Sequence, residues 1–118
     1  MSREQISARI NKLLRLESDW NGYGALPIDH EVVERVQGFL SRLEEDQLPG
    51  FICPTSDGGI QIEYGNIMAY HNYLEIEFLP NGLLEFYAEF PNGREECWEA
   101  FSEDQIYRVI LDFIELNK

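Results

Sequence analysis

Apolar and acidic residues alternate through residues 74–90, LEIEFLPNGLLEFYAEF, on both sides of a Pro-Asn-Gly turn. Because side chains point alternately to the two sides of a strand, this pattern predicts a β-hairpin with one apolar and one acidic face. The apolar face consists of Leu74, Ile76, Phe78, Leu84, Phe86, Ala88 and Phe90. The acidic face consists of Glu75, Glu77, Glu85 and Glu89, with Tyr87 between the last two.

Three further segments are typical of strands. Phe51–Cys53 is short and precedes a proline, and Ile60–Tyr64 alternates so that Glu63 lies on the outward side. Glu95–Phe101 follows a second Pro-Asn-Gly turn, but its register stays open because both alternating sets contain apolar residues. Residues 67–73 are predicted either as a loop or as an extension of the next strand.

Apolar residues at helical spacing predict three helices. The first begins with a capping box at Ser2–Gln5 and is expected to end near residues 16–18. The second begins after Asp29, a good N-cap residue, and its apolar stripe runs from Val32 to Leu43. A second capping box at 102–105 begins the third helix.

The order of these elements predicts the fold class. Two N-terminal helices, about five strands joined by short turns and a C-terminal helix indicate an α+β protein with an antiparallel β-meander. We expect the helices to pack on one face of the sheet, which leaves the acidic face open. The length of 118 residues fits a single domain, 1–118.

Charge is unevenly distributed along the chain. The net charge of −13 divides into −3 for residues 1–46 and −10 for residues 47–118, and residues 51–93 contain no Lys or Arg. Direct binding to nucleic acid or to an anionic membrane is therefore not expected, because phosphate groups need a cationic surface. A basic protein partner, such as a nucleic-acid-binding protein, is favoured by charge complementarity. The alternative is that acidity serves solubility alone.

The predicted acidic face is the main candidate site. Its glutamates are expected to form an anionic lattice with Tyr87 as a central aromatic anchor, and they are Glu63, Glu75, Glu77, Glu85 and Glu89. Such a lattice suits docking on a Lys/Arg-rich protein, and it is also compatible with a merely solvated face. Clustered carboxylates can bind Ca²⁺ or Mg²⁺, but the sequence has no EF-hand-like loop, so we expect no metal and no cofactor.

The segment WNGYGALPI, residues 20–28, is a second candidate. Its glycines do not follow a strand and no Lys is present, which argues against a phosphate-binding loop. Trp20 and Tyr23 are expected either to fill the gap between helices and sheet or to serve as aromatic anchors in an interface.

Two motifs carry a family resemblance. WNGYGALPI and DGGIQIEY, residues 57–64, match the patterns W-[DN]-G-x-G-A-x-P-I and D-G-[GS]-I-x-[IL]-E-[WY]. With them the chain resembles, over about residues 10–85, a family of small, largely uncharacterised bacterial proteins. The resemblance implies a bacterial or phage origin and a mobile-element setting, and it implies no catalytic residues.

Signals for catalysis are weak. His30 and His71 have no nucleophile or metal partner evident in the sequence, and no hydrolase, metalloprotease or P-loop motif is present. Cys53 and Cys97 are expected as buried free thiols, with a disulfide as the less favoured alternative. The chain shows neither a signal peptide nor an apolar run of membrane-spanning length, so a cytoplasmic location is expected.

These observations favour a binding protein over an enzyme. The leading hypothesis is a small bacterial or phage protein that masks a basic protein surface, as an antitoxin, an immunity-type protein or an anti-CRISPR-like inhibitor. One alternative is a homo-oligomeric protein that associates through exposed aromatic residues, the candidates being Trp20, Tyr23, Tyr70 and Tyr73. The other is an enzyme that uses paired carboxylates.

Overall fold

A computed structural model describes residues 1–65, 73–90, 92–100 and 102–116. The helices are α1 (Arg3–Leu13), α2 (His30–Leu40) and α3 (Glu103–Leu116), with a 3₁₀ turn at Glu45–Gln47. The strands are β1 (Phe51–Pro54), β2 (Ile60–Gly65), β3 (Tyr73–Phe78), β4 (Leu84–Glu89) and β5 (Glu95–Ala100). No helix among these residues is both long enough and apolar enough to cross a membrane.

The strands form one five-stranded sheet in the order β1-β2-β3-β4-β5. Every neighbouring pair is antiparallel, and the predicted hairpin pairs Ile76 with Phe86 at its centre. The turn of this hairpin closes with the Leu79 amide donating to the Leu83 carbonyl at 3.0 Å. The α+β fold class and the meander are therefore confirmed.

The core lies between one face of the sheet and the three helices. All the apolar residues of the predicted hairpin face are buried, and the helices contribute their own apolar stripes. Phe39 of α2 packs against Phe78 with ring centroids 5.8 Å apart, and Phe90 packs against Phe113 of α3 at 6.3 Å. Since the helices cover the apolar face, the predicted placement of helices on one side of the sheet is also confirmed.

The predicted helix starts are confirmed, and the predicted end of the first helix is wrong. The Ser2–Gln5 capping box is present, and the Asp29 side chain accepts from the Glu31 amide at 2.8 Å. However, α1 ends at Leu13 rather than near residues 16–18, because the following hydrogen bonds tighten to the i→i+3 type.

The apolar stripe of α2 likewise continues past its last turn. Leu43 is buried, although α2 ends at Leu40. The Arg3 guanidinium of α1 donates to the carbonyl groups of Leu40, the last residue of α2, and of Leu43, which follows it. The Leu40 carbonyl also accepts from the Leu43 amide at 3.2 Å. The first two helices are thereby joined to each other as well as to the sheet.

Candidate functional site

The side of the sheet opposite the helices is called the open face here. The alternate residues of all five strands supply its side chains, which are Phe51, Cys53, Gln61, Glu63, Tyr73, Glu75, Glu77, Glu85, Tyr87, Glu89, Glu95, Cys97 and Glu99. The open face contains every glutamate that the sequence predicted for the acidic face. Gln61, Glu95 and Glu99 belong to the open face as well, and the sequence analysis did not assign them to it.

Glutamates stand directly opposite each other on neighbouring strands. The register pairs Glu63 with Glu75 between β2 and β3, and Glu77 with Glu85 between β3 and β4. Toward β5 it pairs Glu85 with Glu99 and Glu89 with Glu95. Opposed side chains on one sheet face lie about 5 Å apart at their Cβ atoms, and like charges in this arrangement destabilise a sheet. The open face is therefore a lattice of mutually repelling carboxylates.

Some of these carboxylates accept hydrogen bonds from neutral side chains rather than from cations. The Gln61 amide donates to Glu63 Oε1 at 2.8 Å and to Glu75 Oε2 at 3.1 Å. The Tyr73 hydroxyl also donates to Glu75 Oε2, at 2.6 Å. Among the described residues, no Lys or Arg forms an ion pair with the glutamates at 63, 75, 77 and 85. Hydrogen bonds thus orient the carboxylates without neutralising their charge.

A shallow hollow lies at the middle of the open face. It has a volume of about 180 Å³ and is lined by Gln61, Glu75, Glu77, Glu85, Phe86, Tyr87 and Cys97. Partial burial, followed by the charges of Asp57, Glu85 and Glu75, raises the pKa of Glu77. The hollow therefore concentrates negative potential beside an aromatic ring. Within the described ranges, no group of three or more His, Cys, Asp or Glu side chains is arranged to hold a metal ion.

The two tyrosines of the face remain hydrogen-bond donors through the neutral pH range. The bond that the Tyr87 hydroxyl donates to Glu89 is the largest cause that raises the pKa of Tyr87 to about 12. Burial and Glu75 raise the pKa of Tyr73 as well. Tyr87 is partly exposed between the glutamates, as the predicted role of an aromatic anchor requires.

Trp20 and Tyr23 lie on the loop between α1 and α2 and not on the open face. The indole of Trp20 is half-buried and donates to the Leu26 carbonyl at 2.9 Å, so it closes its own loop. The side-chain oxygen of Asn21 accepts from the amides of Tyr23 and Ala25 at 2.8 and 3.2 Å. These bonds brace the loop, while Tyr23 itself is 93% exposed.

The two motifs of the family resemblance meet in space. The Leu26 amide donates to the Ser56 carbonyl, and the Asp29 amide donates to the Gly58 carbonyl, both at 2.9 Å. Gly58 has φ of +93°, and a Cβ atom there would lie 3.0 Å from the Pro27 carbonyl oxygen. The positive φ and the close backbone approach both favour glycine at position 58.

The remaining candidates contribute little to a site. His30 is exposed at the first residue of α2, and His71 and Tyr70 lie outside the described residues. Cys53 and Cys97 are free thiols on the outer strands β1 and β5, too far apart across the sheet for a disulfide. The prediction that both are buried is wrong, since Cys53 is half-buried and Cys97 is exposed. Burial is the main cause that raises the pKa of the Cys53 thiol.

Comparison of the chain with models of protein families, with curated proteins and with solved structures found no match. The resemblance to a bacterial family rests on the two motifs alone and stays a prediction. The candidate site is accordingly argued from its own geometry and charge.

Proposed function

We propose that this protein works by binding another protein in the cytoplasm, with its open face masking a basic surface of the partner. The observation that carries the proposal is that Glu63 opposes Glu75 and Glu77 opposes Glu85 across neighbouring strands, and that these four glutamates form no ion pair with a Lys or Arg among the described residues. The proposed role is non-catalytic and needs no cofactor.

The opposed pairs matter because solubility alone does not require them. Glutamates interspersed with Lys or Thr would keep a sheet face soluble without repulsion between neighbours. Here the repulsion is retained in the free protein, so an incoming Lys or Arg side chain would relieve it as well as form an ion pair. A single-sign face of this kind also accelerates the encounter with an oppositely charged protein.

The proposal includes the kind of partner. Nucleic-acid-binding proteins present clustered Lys and Arg to phosphate groups, and a carboxylate lattice can compete for the same surface. Within this proposal the protein is an antitoxin, an immunity-type protein or an anti-CRISPR-like inhibitor of bacterial or phage origin. We therefore expect nucleic acid to displace this protein from its partner.

The test compares two triple variants that remove the same charge. One carries Glu75→Gln, Glu77→Gln and Glu85→Gln on the open face. The matched control carries Glu17→Gln, Glu31→Gln and Glu34→Gln, which lie at exposed positions on the helical side. A partner is first captured from a bacterial lysate and identified, and its affinity for each variant is then measured at several salt concentrations.

The open-face variant is expected to bind at least about tenfold more weakly, which corresponds to about 1.4 kcal/mol, and with a shallower salt dependence. The control is expected to bind like the native protein. Equal affinities of the two triple variants, or an affinity that salt does not change, would exclude the open face as the binding surface.

Self-association is a second candidate, favoured by the 93% exposure of Tyr23 on a hydrogen-bonded loop. Aromatic residues on rigid loops are typical interface anchors. If Tyr23 forms such a contact, sedimentation velocity will show a dimer that persists at high salt and is lost in Tyr23→Ser. Leu14→Ser, at a less exposed apolar position, serves as the control. A monomer at all concentrations would eliminate this candidate.

A further inference from the structure

The two outer strands of the sheet differ in how their free edges are covered. At the β1 edge, the Arg9 side chain of α1 donates to the Ile52 carbonyl at 2.9 Å, and α1 packs beside the strand. At the β5 edge, no described residue forms a hydrogen bond with the outward backbone groups of Glu95–Ala100. A strand edge of this length whose outward groups have no partner among the described residues is a template for a further strand.

The register identifies which backbone groups point outward from β5. The Phe90 amide donates to the Arg94 carbonyl at 2.8 Å, so these two residues form a hydrogen-bonded pair. Hydrogen-bonded and non-hydrogen-bonded pairs alternate along an antiparallel ladder. The N–H and C=O groups of Glu95, Cys97 and Glu99 therefore point away from β4, at the outer edge of the sheet.

The same three residues have exposed side chains on the open face. A strand added at β5 would place every second side chain of its own beside Glu95, Cys97 and Glu99. Glu99 ends a row of carboxylates that runs across the sheet through Glu77 and Glu85. The added side chains would extend such rows by one more position.

We propose that β5 accepts an extended segment of the partner protein as a sixth strand, with Lys or Arg at alternate positions facing Glu95 and Glu99. This inference rests on the proposed function and specifies how the basic partner is held. Backbone hydrogen bonds would supply affinity, and the alternating charges would select the segment.

Charge favours a basic segment over a second copy of this chain. Antiparallel pairing of β5 with its own copy, centred on Cys97, would set Glu95 of each copy against Glu99 of the other. That arrangement adds like-charge pairs to a face that already carries several. A segment with alternating Lys or Arg converts the same positions into opposite-charge pairs.

The first experiment uses the full chain and a dye-labelled eight-residue peptide with Lys at every second position and Thr or Val between. Two control peptides have the same side chains, but one is N-methylated at the Lys amides and the other at the intervening amides. An added strand directs only one of these two sets of amides toward β5. Fluorescence anisotropy is expected to show one methylated peptide binding like the parent and the other at least about tenfold more weakly, a loss of about 1.4 kcal/mol.

The second experiment measures the effect of peptide binding on the backbone amides of β5. In the unaltered protein, the parent peptide is expected to slow hydrogen exchange at the amides of Glu95, Cys97 and Glu99. Cys97→Pro removes the central outward N–H and is expected to weaken binding of the parent peptide, whereas Cys97→Ala is not. The exchange measurement tests the proposal even if the proline variant does not fold.

The outcomes separate this inference from the proposed function. Equal binding of the two methylated peptides, without slowed exchange at β5, would overturn strand addition. The proposed function would still stand if the open-face Glu→Gln triple variant weakened binding of every peptide. If that triple variant bound every peptide as tightly as the native chain does, the proposed function itself would fail. Slowed exchange at β5 with protein concentration, in the absence of peptide, would identify a second copy as the occupant instead.

Discussion

The two faces of this sheet are built from alternate residues of the same strands, yet different forces act on them. On the helix side, residues such as Ile76 and Phe86 oppose each other and are buried under the helices. One residue further along, Glu77 opposes Glu85 and both are only partly buried. Packing stabilises the first face, whereas repulsion weakens the second. The contrast indicates that stability comes from one face and leaves the other available for binding.

The two faces should differ most in how much stability an alanine substitution removes, and two neighbouring residues of β3 test this. Phe78 is fully buried against Phe39, so Phe78→Ala should cost about 3–5 kcal/mol of unfolding free energy through lost burial and a cavity. Glu77→Ala, next to it on the open face, should change stability by less than about 0.5 kcal/mol. Urea denaturation of the two variants makes the measurement. Similar losses at both positions would contradict the division of roles between the faces.

This division of faces was predictable because alternation with period two is a local property of the sequence. The register of β5 was not resolved, since Trp98 and Ala100 compete with Cys97 and Glu99 as the apolar set. A signal was nevertheless present in the two Pro-Asn-Gly turns. In each, the residue before Pro pairs with the residue after Gly, Leu79 with Leu83 and Phe90 with Arg94. Equal turns imply equal registers, which would have placed Glu95 and Glu99 on the open face.

The helix ends were not predictable from apolar spacing alone. Leu16 is half-buried and Leu43 is buried, so each continues the apolar pattern although the helix before it has ended. Burial of a side chain after the last turn depends on tertiary packing, and here Arg3 of α1 donates to the carbonyls of Leu40 and Leu43 at the end of α2. The contact between the two motifs was unpredictable for the same reason, because it joins backbones far apart in the chain.

Replacing glycine by alanine is expected to lower the stability of the protein at Gly59, in the turn before β2, and to raise it at Gly38 in α2. A Cβ atom at Gly59 would lie 2.6 Å from the Phe78 carbonyl oxygen and 2.7 Å from Thr55 Oγ1. Gly59→Ala is therefore expected to cost about 1–3 kcal/mol through overpacking. At Gly38 in α2 nothing lies within 4 Å, so Gly38→Ala should add about 0.5–1 kcal/mol through helix propensity. Thermal and urea unfolding of both variants test the pair, and a neutral result at Gly59 would show that this turn relaxes.

Repulsion on the open face should be visible as a pH dependence of stability. Burial, with Asp57, Glu85 and Glu75, raises the folded-state pKa of Glu77 above its ordinary value of 4.5. The folded chain then binds more protons than the unfolded chain between these two pKa values, so stability falls as pH rises through that window. Glu77→Gln should be more stable than the native protein at pH 7, by less than about 1 kcal/mol because of solvent screening.

That advantage of Glu77→Gln should shrink as the pH falls through the raised pKa of Glu77, because the native side chain then takes up a proton. Urea unfolding at a series of pH values measures the difference directly. Glu34→Gln on α2 controls for the loss of one charge at an exposed position. A constant difference between Glu77→Gln and the native protein across the series would mean that Glu77 does not contribute to the strain of the lattice.

A small loss of stability is expected when a neutral hydrogen-bond donor to the carboxylates is removed. The Tyr73 hydroxyl donates to Glu75 Oε2 at 2.6 Å, and Gln61 donates to the same oxygen at 3.1 Å. Tyr73→Phe should cost only about 0.5–1 kcal/mol, because the site is partly open and water can replace the hydroxyl. Tyr23→Phe, on the exposed loop, is the control and should have no measurable effect.

A double-mutant cycle that combines Tyr73→Phe with Glu75→Gln tests whether the Tyr73 hydroxyl stabilises the charged Glu75 carboxylate. If Tyr73 stabilises the charged carboxylate, its contribution should fall once Glu75 is neutral, and the two changes should not be additive. Additive losses would instead mean that the effect of Tyr73→Phe does not depend on the charge of Glu75. The Glu75 carboxylate would then be oriented by the amide of Gln61 rather than by the Tyr73 hydroxyl.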